Sequence, residues 1–428
     1  MLKTILSVVL IVNLAGYCHG GTYGRPGLSF KAGIGYDFLS QEYFLDSLGQ
    51  SGVDSLDITT ALETTYLENL KGQMALRYNP FQDYRLELEG IYEQTSEEHR
   101  IRSYANIRPK LGAFRLDWSS DLDWRRSSVT SEIEGTGYFS GNSRIKVALP
   151  VSPSVSLWTR VKAEVVSFDS SVWGAFDHHR FAGELGISHI FSGFSSLSVA
   201  GFVTRREVPD SRENEYKSFG VDGSLLRIYD KGEVDVLTHL ESRDYARPDN
   251  LDDYLRFDLD FRHRHGFTPR YFLRGESEIE IIAFDSTDYL TSSYTRFELA
   301  ILPGLSGLKG SVAVGPRIEI LAEGQVDPLL IGEDYVEYSI KGELDVLSPG
   351  WPFLSVETIT GRRNLTDEAT SDGLQTDFVV ERLSLLADWL LVGHLNLNLL
   401  FSADWEWHDD PNENNRLVLV SSCLTYSF

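Results

Sequence analysis

From Leu28 to Phe38 apolar and polar positions alternate without a slip: Leu28, Phe30, Ala32, Ile34, Tyr36 and Phe38 against Ser29, Lys31, Gly33, Gly35 and Asp37. A period of two belongs to a strand with one face against apolar material and the other against polar groups, and a helix does not sort its residues this way. From Asp57 to Tyr78 the apolar residues Ile58, Leu62, Tyr66, Leu70, Met74, Leu76 and Tyr78 keep one parity, which predicts one long or locally bulged strand. Glu68 and Gly72 on that face leave room for a break. The pattern is plainest where Phe114, Leu116, Trp118, Leu122 and Trp124 alternate with Arg115, Asp117, Asp121, Asp123 and Arg125.

The unit recurs to the end of the chain, and its connections alternate in length. Short turns fall near Pro150 to Ser154, Asp230 to Glu233, Gly266 to Arg270, Pro303 to Gly307 and Leu391 to His394. Longer polar loops fall near Asp169 to Asp177, Tyr245 to Asp253, Asp285 to Ser293, Glu323 to Asp334, Asn364 to Gln375 and His408 to Asn415, with Gln41 to Leu56 the longest. One end of the structure is trimmed and the other elaborated, as in transmembrane barrels. Tyr216, Tyr254, Tyr294 and Tyr335 each open a strand just after a long loop, a spacing that a bladed soluble repeat could share. Blades need packing on both sheet faces, and here one face is charged strand after strand.

The last thirteen residues, RLVLVSSCLTYSF, place Phe428, Tyr426, Leu424, Ser422, Val420 and Val418 on one face and Ser427, Thr425, Cys423 and Ser421 on the other. This ending resembles the C-terminal strand of bacterial outer-membrane β-barrels. The resemblance implies that Tyr426 and Phe428 form an assembly signal read by the barrel-assembly machinery, and that the protein resides in the cell outer membrane. The expected fold is all-β: a closed antiparallel up-and-down transmembrane β-barrel of about 20 strands, or 18 if one segment stays outside the membrane. The last strand is expected to pair with both Leu395–Trp407 and Leu28–Phe38. Trp118, Trp124, Tyr271, Trp405, Trp407, Tyr426 and Phe428 sit near strand ends, as an interfacial aromatic girdle would.

Residues 1–20 place Lys3 before an apolar run from Ile5 to Leu14 and finish on small residues, the layout of a secretory signal peptide. Residues 21–428 are then one barrel domain. Cysteines occur only at Cys18 and Cys423, so the exported chain has no intrachain disulfide available. A formal net charge of −24 argues against a nucleic-acid partner and suggests a weak preference for cations.

Charge changes the picture most through its parity. Arg256, Asp258, Asp260 and Arg262 share one face, followed on the next segment by Arg274, Glu276, Glu278 and Glu280. The same holds for Arg85, Glu87 and Glu89, for Arg102 and Arg108, for Arg115, Asp117, Asp121 and Asp123, and for Lys341, Glu343 and Asp345. An Arg facing lipid at the midplane costs about 2–4 kcal/mol, so these residues are expected to line a lumen. Such a wall conducts polar solutes, or its opposite charges pair between strands and stiffen the barrel. The first reading gives a porin-like diffusion channel or transporter for small polar solutes. The alternative is a non-conducting structural or surface-interaction barrel, the membrane partner of a periplasmic complex.

Catalysis finds little support. Asp177-His178-His179 and His408-Asp409-Asp410 could activate water or hold a metal, and equally serve as polar loop residues; no nucleophile elbow or phosphate loop occurs. No cofactor is expected. The acidic stretches Asp244 to Asp253, Asp367 to Asp372 and Asp409 to Asn415 could hold divalent cations that bridge to the anionic glycolipid of the outer membrane.

Overall fold

The computed structural model describes residues 27–50, 56–81, 84–94, 98–127, 137–168, 177–191, 194–209, 211–246, 253–285, 293–323, 334–347, 352–365, 377–409 and 414–427. The signal-peptide segment and Phe428 lie outside them, as do the side chains of Arg85, Glu87 and Glu89. Among the described residues there are twenty strands and one short 3₁₀ turn, Arg212–Asn214. The first seven strands are β1 Gly27–Gln50, β2 Leu56–Phe81, β3 Tyr84–Gln94, β4 Glu98–Leu111, β5 Phe114–Ser127, β6 Tyr138–Pro150 and β7 Val155–Phe168. Then come β8 His178–Ile190, β9 Ser196–Glu207, β10 Tyr216–Tyr229, β11 Gly232–Tyr245, β12 Tyr254–Gly266 and β13 Tyr271–Phe284. The series ends with β14 Tyr294–Gly307, β15 Gly310–Glu323, β16 Tyr335–Val346, β17 Phe353–Leu365, β18 Phe378–Val392, β19 Leu395–His408 and β20 Asn415–Ser427.

Each strand pairs antiparallel with the next, the up-and-down order that alternating short and long connections predict. β20 pairs with Leu395–Glu406 on one side and with Lys31–Glu42 of β1 on the other, the two partners expected from the sequence. The tightest turns use glycine where the backbone turns left-handed, at Gly112 (φ 63°) and Gly393 (φ 55°).

The period-two pattern sorts the faces. Phe219 and Val221 on β10, Leu255 on β12, Ile301 on β14 and Ile340 on β16 are exposed. The interleaved residues carry most of the charge. Arg274 on β13 bonds Glu343 on β16, although β14 and β15 lie between them. Strands are about 4.8 Å apart, so a flat sheet would separate those backbones by roughly 14 Å. Such pairs form on the concave side of a curved sheet, which makes the charged face the inner one.

One expectation fails. The segment Gln41 to Leu56 reads as the longest loop, yet β1 continues to Gln50 and stays in register with β2 up to Gln50↔Leu56. Beyond the first dozen residues this hairpin has only its own two strands to satisfy. Along Gln41 to Gln50 the apolar residues Tyr43, Phe44, Leu45 and Leu48 fall on both parities, so the alternation is lost on this arm while backbone pairing persists. The long strand predicted over Asp57 to Tyr78 is β2, irregular only near its end, between Tyr78 and Phe81.

The long connections share a device. The residue just before a returning strand accepts a hydrogen bond from the backbone N–H at or near the end of the strand before the loop. Asp177 takes Phe168 N at 2.7 Å, Asp253 takes Tyr245 N at 2.6 Å and Asp377 takes Leu365 N at 3.0 Å. Ser293 takes Phe284 N at 3.0 Å, Asn414 takes His408 N at 2.7 Å, and Asp334 takes Glu323 N. Short Asp, Asn and Ser side chains mimic one more rung of the ladder where the loop diverges. The Asp253→Ala substitution should remove that rung and speed hydrogen exchange of the Tyr245 amide about five- to tenfold, with little change in global melting. Unchanged exchange at Tyr245 would show that the carboxylate does not hold the loop base.

Candidate functional site: the charged inner face

The densest part of the inner face is a row of like charges. Register places Glu278, Glu298, Glu319 and Glu337 directly opposite one another across β13 to β16, followed by Arg363 on β17. Directly opposed carboxylates repel, so this row requires cations from its flanks. Arg296, one inward position towards the loops, gives Nε to Glu319 at 2.8 Å and lies 3.5 Å from Glu278. Arg317, one inward position towards the turns, bonds Glu298 at 2.7 Å, Glu337 at 2.5 Å and also Glu319. Arg363 reaches Glu337 at 2.9 Å, and Arg382 reaches Asp404 at 3.3 Å. The Tyr335 hydroxyl donates to Glu319 at 2.7 Å. Arg317 and Glu337 keep 2% and 0% of their side-chain surface, so these charges are dry and depend on one another.

Next to this network, two ion pairs span two strands. Lys341 on β16 bonds Glu276 on β13 at 2.8 Å, beside the pair of Arg274 with Glu343, and Lys341 lies 3.3 Å from Glu343. Register puts Ala300, Leu302, Gly304, Ala313 and Gly315 of β14 and β15 in the interval between them. Ala300 and Leu302 are fully buried and form one apolar cluster with Ala313 and Phe272. Small residues under long charged ones let the sheet bend and the charges meet above it. A cavity of about 500 Å³ borders this strap, lined by Glu233 and Asp235 on β11, Arg262 on β12 and Glu357 on β17.

The opposite sector, β4 to β9, is looser and richer in cations. Arg100 holds Asp123 through Nε at 2.9 Å, with the Tyr138 hydroxyl donating to the same carboxylate at 3.1 Å, and Arg108 lies 3.0 Å from Asp117. Asp121 and Arg115 are exposed, and Arg102 is half-buried. On β6 to β9 the inner positions hold Arg144, Lys146, Arg160, Lys162, Arg180 and Arg206 against Glu164 and Glu184. Glu184 is shared by Arg160 at 2.5 Å and Lys162 at 2.7 Å. Lys146 and Arg160 lie 4.3 and 5.0 Å from the centre of the Trp158 ring. That ring packs over Gly186, where an added Cβ would come within 2.4 Å of it.

The sequence-derived residues of β12 and β13 pair locally. Arg256 meets Asp258 and Glu280, both at 2.9 Å, and Asp260 meets Arg262 at 2.9 Å. Asp345 accepts from Ser355 at 2.8 Å. Arg85, Glu87 and Glu89 are placed by backbone alone, opposite Arg108, Asn106 and Tyr104. Sequence reasoning missed Arg296, Arg317, Glu298, Glu319 and Glu337, because β14 and β15 each carry only one short charged pair, Arg296 with Glu298 and Arg317 with Glu319, and the row they form with Glu337 appears only across strands. It also missed the face of the repeated tyrosines. Tyr216 and Tyr254 flank Arg243 at 4.2 and 4.9 Å, and Arg363 lies 3.8 Å over Tyr335, so these rings belong to the inner face at the loop end.

The loop clusters are otherwise occupied. Asp177 ties down Phe168 and accepts from Ser167 at 3.1 Å, and His178 faces Arg206 at 3.4 Å. His408 stacks on Phe378 with ring centres 4.4 Å apart, and Asp409 meets Arg362 at 3.1 Å. Asp410 and Asp367 to Asp372 lie outside the described residues, as does most of the stretch from Asp244 to Asp253.

Removing one member of a buried ion network strands its partners. Arg317→Met should lower unfolding stability by about 3–5 kcal/mol, measured as a urea midpoint in lipid vesicles. Arg362→Met, at a half-exposed pair, should change it by no more than about 1 kcal/mol. Equal shifts would place Arg317 outside any cooperative network.

No family model matches the chain, and no curated protein does. Among solved structures it is similar to the alcaligin outer membrane receptor FauA from Bordetella pertussis, at 9% identity and a TM-score of 0.54, over 93% of this chain and 76% of that one. It is similar to BauA, the ferric preacinetobactin receptor from Acinetobacter baumannii, at 9% identity and a TM-score of 0.52, over 92% and 80%. The FrpB iron transporter from Neisseria meningitidis matches at 11% identity and a TM-score of 0.51, over 95% and 82%. What these likenesses establish is the fold, which is that of outer-membrane β-barrel proteins.

Proposed function

We propose that the chain is a barrel of twenty strands, closed where β20 meets β1, that spans the outer membrane and passes small polar solutes as a porin-like channel or transporter. The observation that carries this reading is the sorting of one sheet into an apolar outer face and a charged inner face that remains part-exposed on β4 to β12. An apolar belt suits membrane lipid, and a wide barrel with a polar interior holds water. The names of the similar structures, an outer membrane receptor and an iron transporter, agree with passage of a solute but name no cargo for this chain. Tyr426, 41% exposed on the outer face, suits a signal read by assembly machinery from outside the barrel. The loop acids are proposed to face the glycolipid leaflet.

The alternative, a non-conducting structural barrel, draws on the strap and glutamate row of β13 to β17. These stiffen one arc of wall and leave the cation-rich arc uncommitted, so they fit a channel equally well. Purified protein in planar bilayers should give discrete conductance steps in simple salts. Silence across voltages and salt concentrations would overturn the channel reading in favour of the structural one.

A further inference from the structure

The cation-rich arc of β6 to β9 meets an acid-rich arc beginning at β10, and a cavity of about 380 Å³ opens on the inner face at that seam. Its volume is at the small end of the ~300–1,000 Å³ typical of small-molecule sites. Arg160 borders it on one side, and Asp222, Asp258 and Asp260 border it on the other. Its apolar surface comes from Trp158, Ala200 and Leu237. Leu237 is 48% exposed on the inner face, unlike the buried Leu302 of the strap, so it presents apolar surface with nothing packed over it.

The charges around the cavity are held in place without being used up. Arg160 is fixed by Glu184 at 2.5 Å, Asp222 by His239 at 2.6 Å, Asp258 by Arg256 at 2.9 Å and Asp260 by Arg262 at 2.9 Å. A guanidinium has five donors and a carboxylate about four acceptor positions, so each retains capacity for a ligand. The Asp222 side chain keeps 48% of its surface and Asp260 keeps 34%. Fixed positive charge, fixed negative charge and an uncovered apolar floor within one small cavity match a molecule that carries all three features.

We propose that this cavity is a binding subsite for small zwitterions of the α-amino-acid type with an apolar side chain, an inference that rests on the solute-passing reading above. The solute carboxylate faces Arg160, its ammonium faces the Asp222, Asp258 and Asp260 side, and its side chain covers the exposed Leu237. A cation-only or anion-only solute satisfies half of the site and leaves the other half's charge solvated as before.

The test is calorimetric titration of the full-length, detergent-solubilised protein with leucine, N-acetylleucine and leucine amide, with the difference in intrinsic fluorescence between the wild type and Trp158→Phe as a second readout. Leucine should bind at least about tenfold more tightly than either singly charged analogue. Arg160→Gln should weaken leucine and N-acetylleucine together and spare leucine amide. Asp260→Asn should do the reverse, and Arg160→Lys should restore part of the carboxylate affinity. Equal binding of the three probes, or no binding of leucine to protein that still conducts in bilayers, would overturn the subsite and leave the channel reading standing. Loss of conductance with leucine binding intact would overturn the channel reading alone.

Discussion

Side chains of a strand point alternately to two faces, so a charge finds its partners on its own face: two residues along the same strand, or sideways on other strands. The inner face is a solution to that constraint. Four glutamates stand in one register row from Glu278 to Glu337, an arrangement that would open the sheet if left alone. Arg296 and Arg317 reach into the row from the rows on either side, and Arg363 closes its end. The register of β13 to β17 therefore combines backbone pairing with a row of opposed glutamates that only the flanking arginines make tolerable.

Curvature follows from the same arc. Long side chains at Arg274, Glu276, Lys341 and Glu343 meet over small ones at Ala300, Gly304, Ala313 and Gly315, and Phe272 folds across Gly304, where a Cβ would lie 2.2 Å from its ring. The strap keeps Leu302 and Ala300 dry, so this part of the wall behaves as a small core. On the other arc, Asp222 and Leu237 stay accessible beside Arg160.

How much of this was legible in the sequence depends on the range of the interaction. Period-two sorting is local, so the all-β antiparallel order and the partners of β20 could be read from residues such as Leu28 to Phe38 and Val418 to Tyr426. The loop clasps were legible in principle, since Asp253-Tyr254, Asp334-Tyr335 and Asp377-Phe378 repeat an acid before an aromatic where a strand resumes. Arg317 was not legible. Its neighbours in sequence are Pro316 and Ile318, and its meaning comes from Glu298, Glu319 and Glu337, two of them on other strands. The hairpin beyond Gln41 was missed for a different reason: Tyr43, Phe44, Leu45 and Leu48 fall on both parities, so this arm has no hydrophobic period to read although its backbone stays paired.

Net charge is the coarsest of these signals, because it sums charges that the structure places in different settings. A formal charge of −24 suggests a channel that favours cations. Yet several acids are spent on backbone clasps at loop bases, as at Asp177, Asp253 and Asp377, and others are neutralised in the glutamate row. On β6 to β9 the inner positions hold six Arg and Lys side chains against Glu164 and Glu184. The field at any point of the inner face is set by charges a few ångströms away, since those beyond about 8–10 Å are screened at physiological ionic strength. The net charge of the chain therefore says little about any one arc of the wall, and the seam between β7 and β12 is where both signs lie side by side.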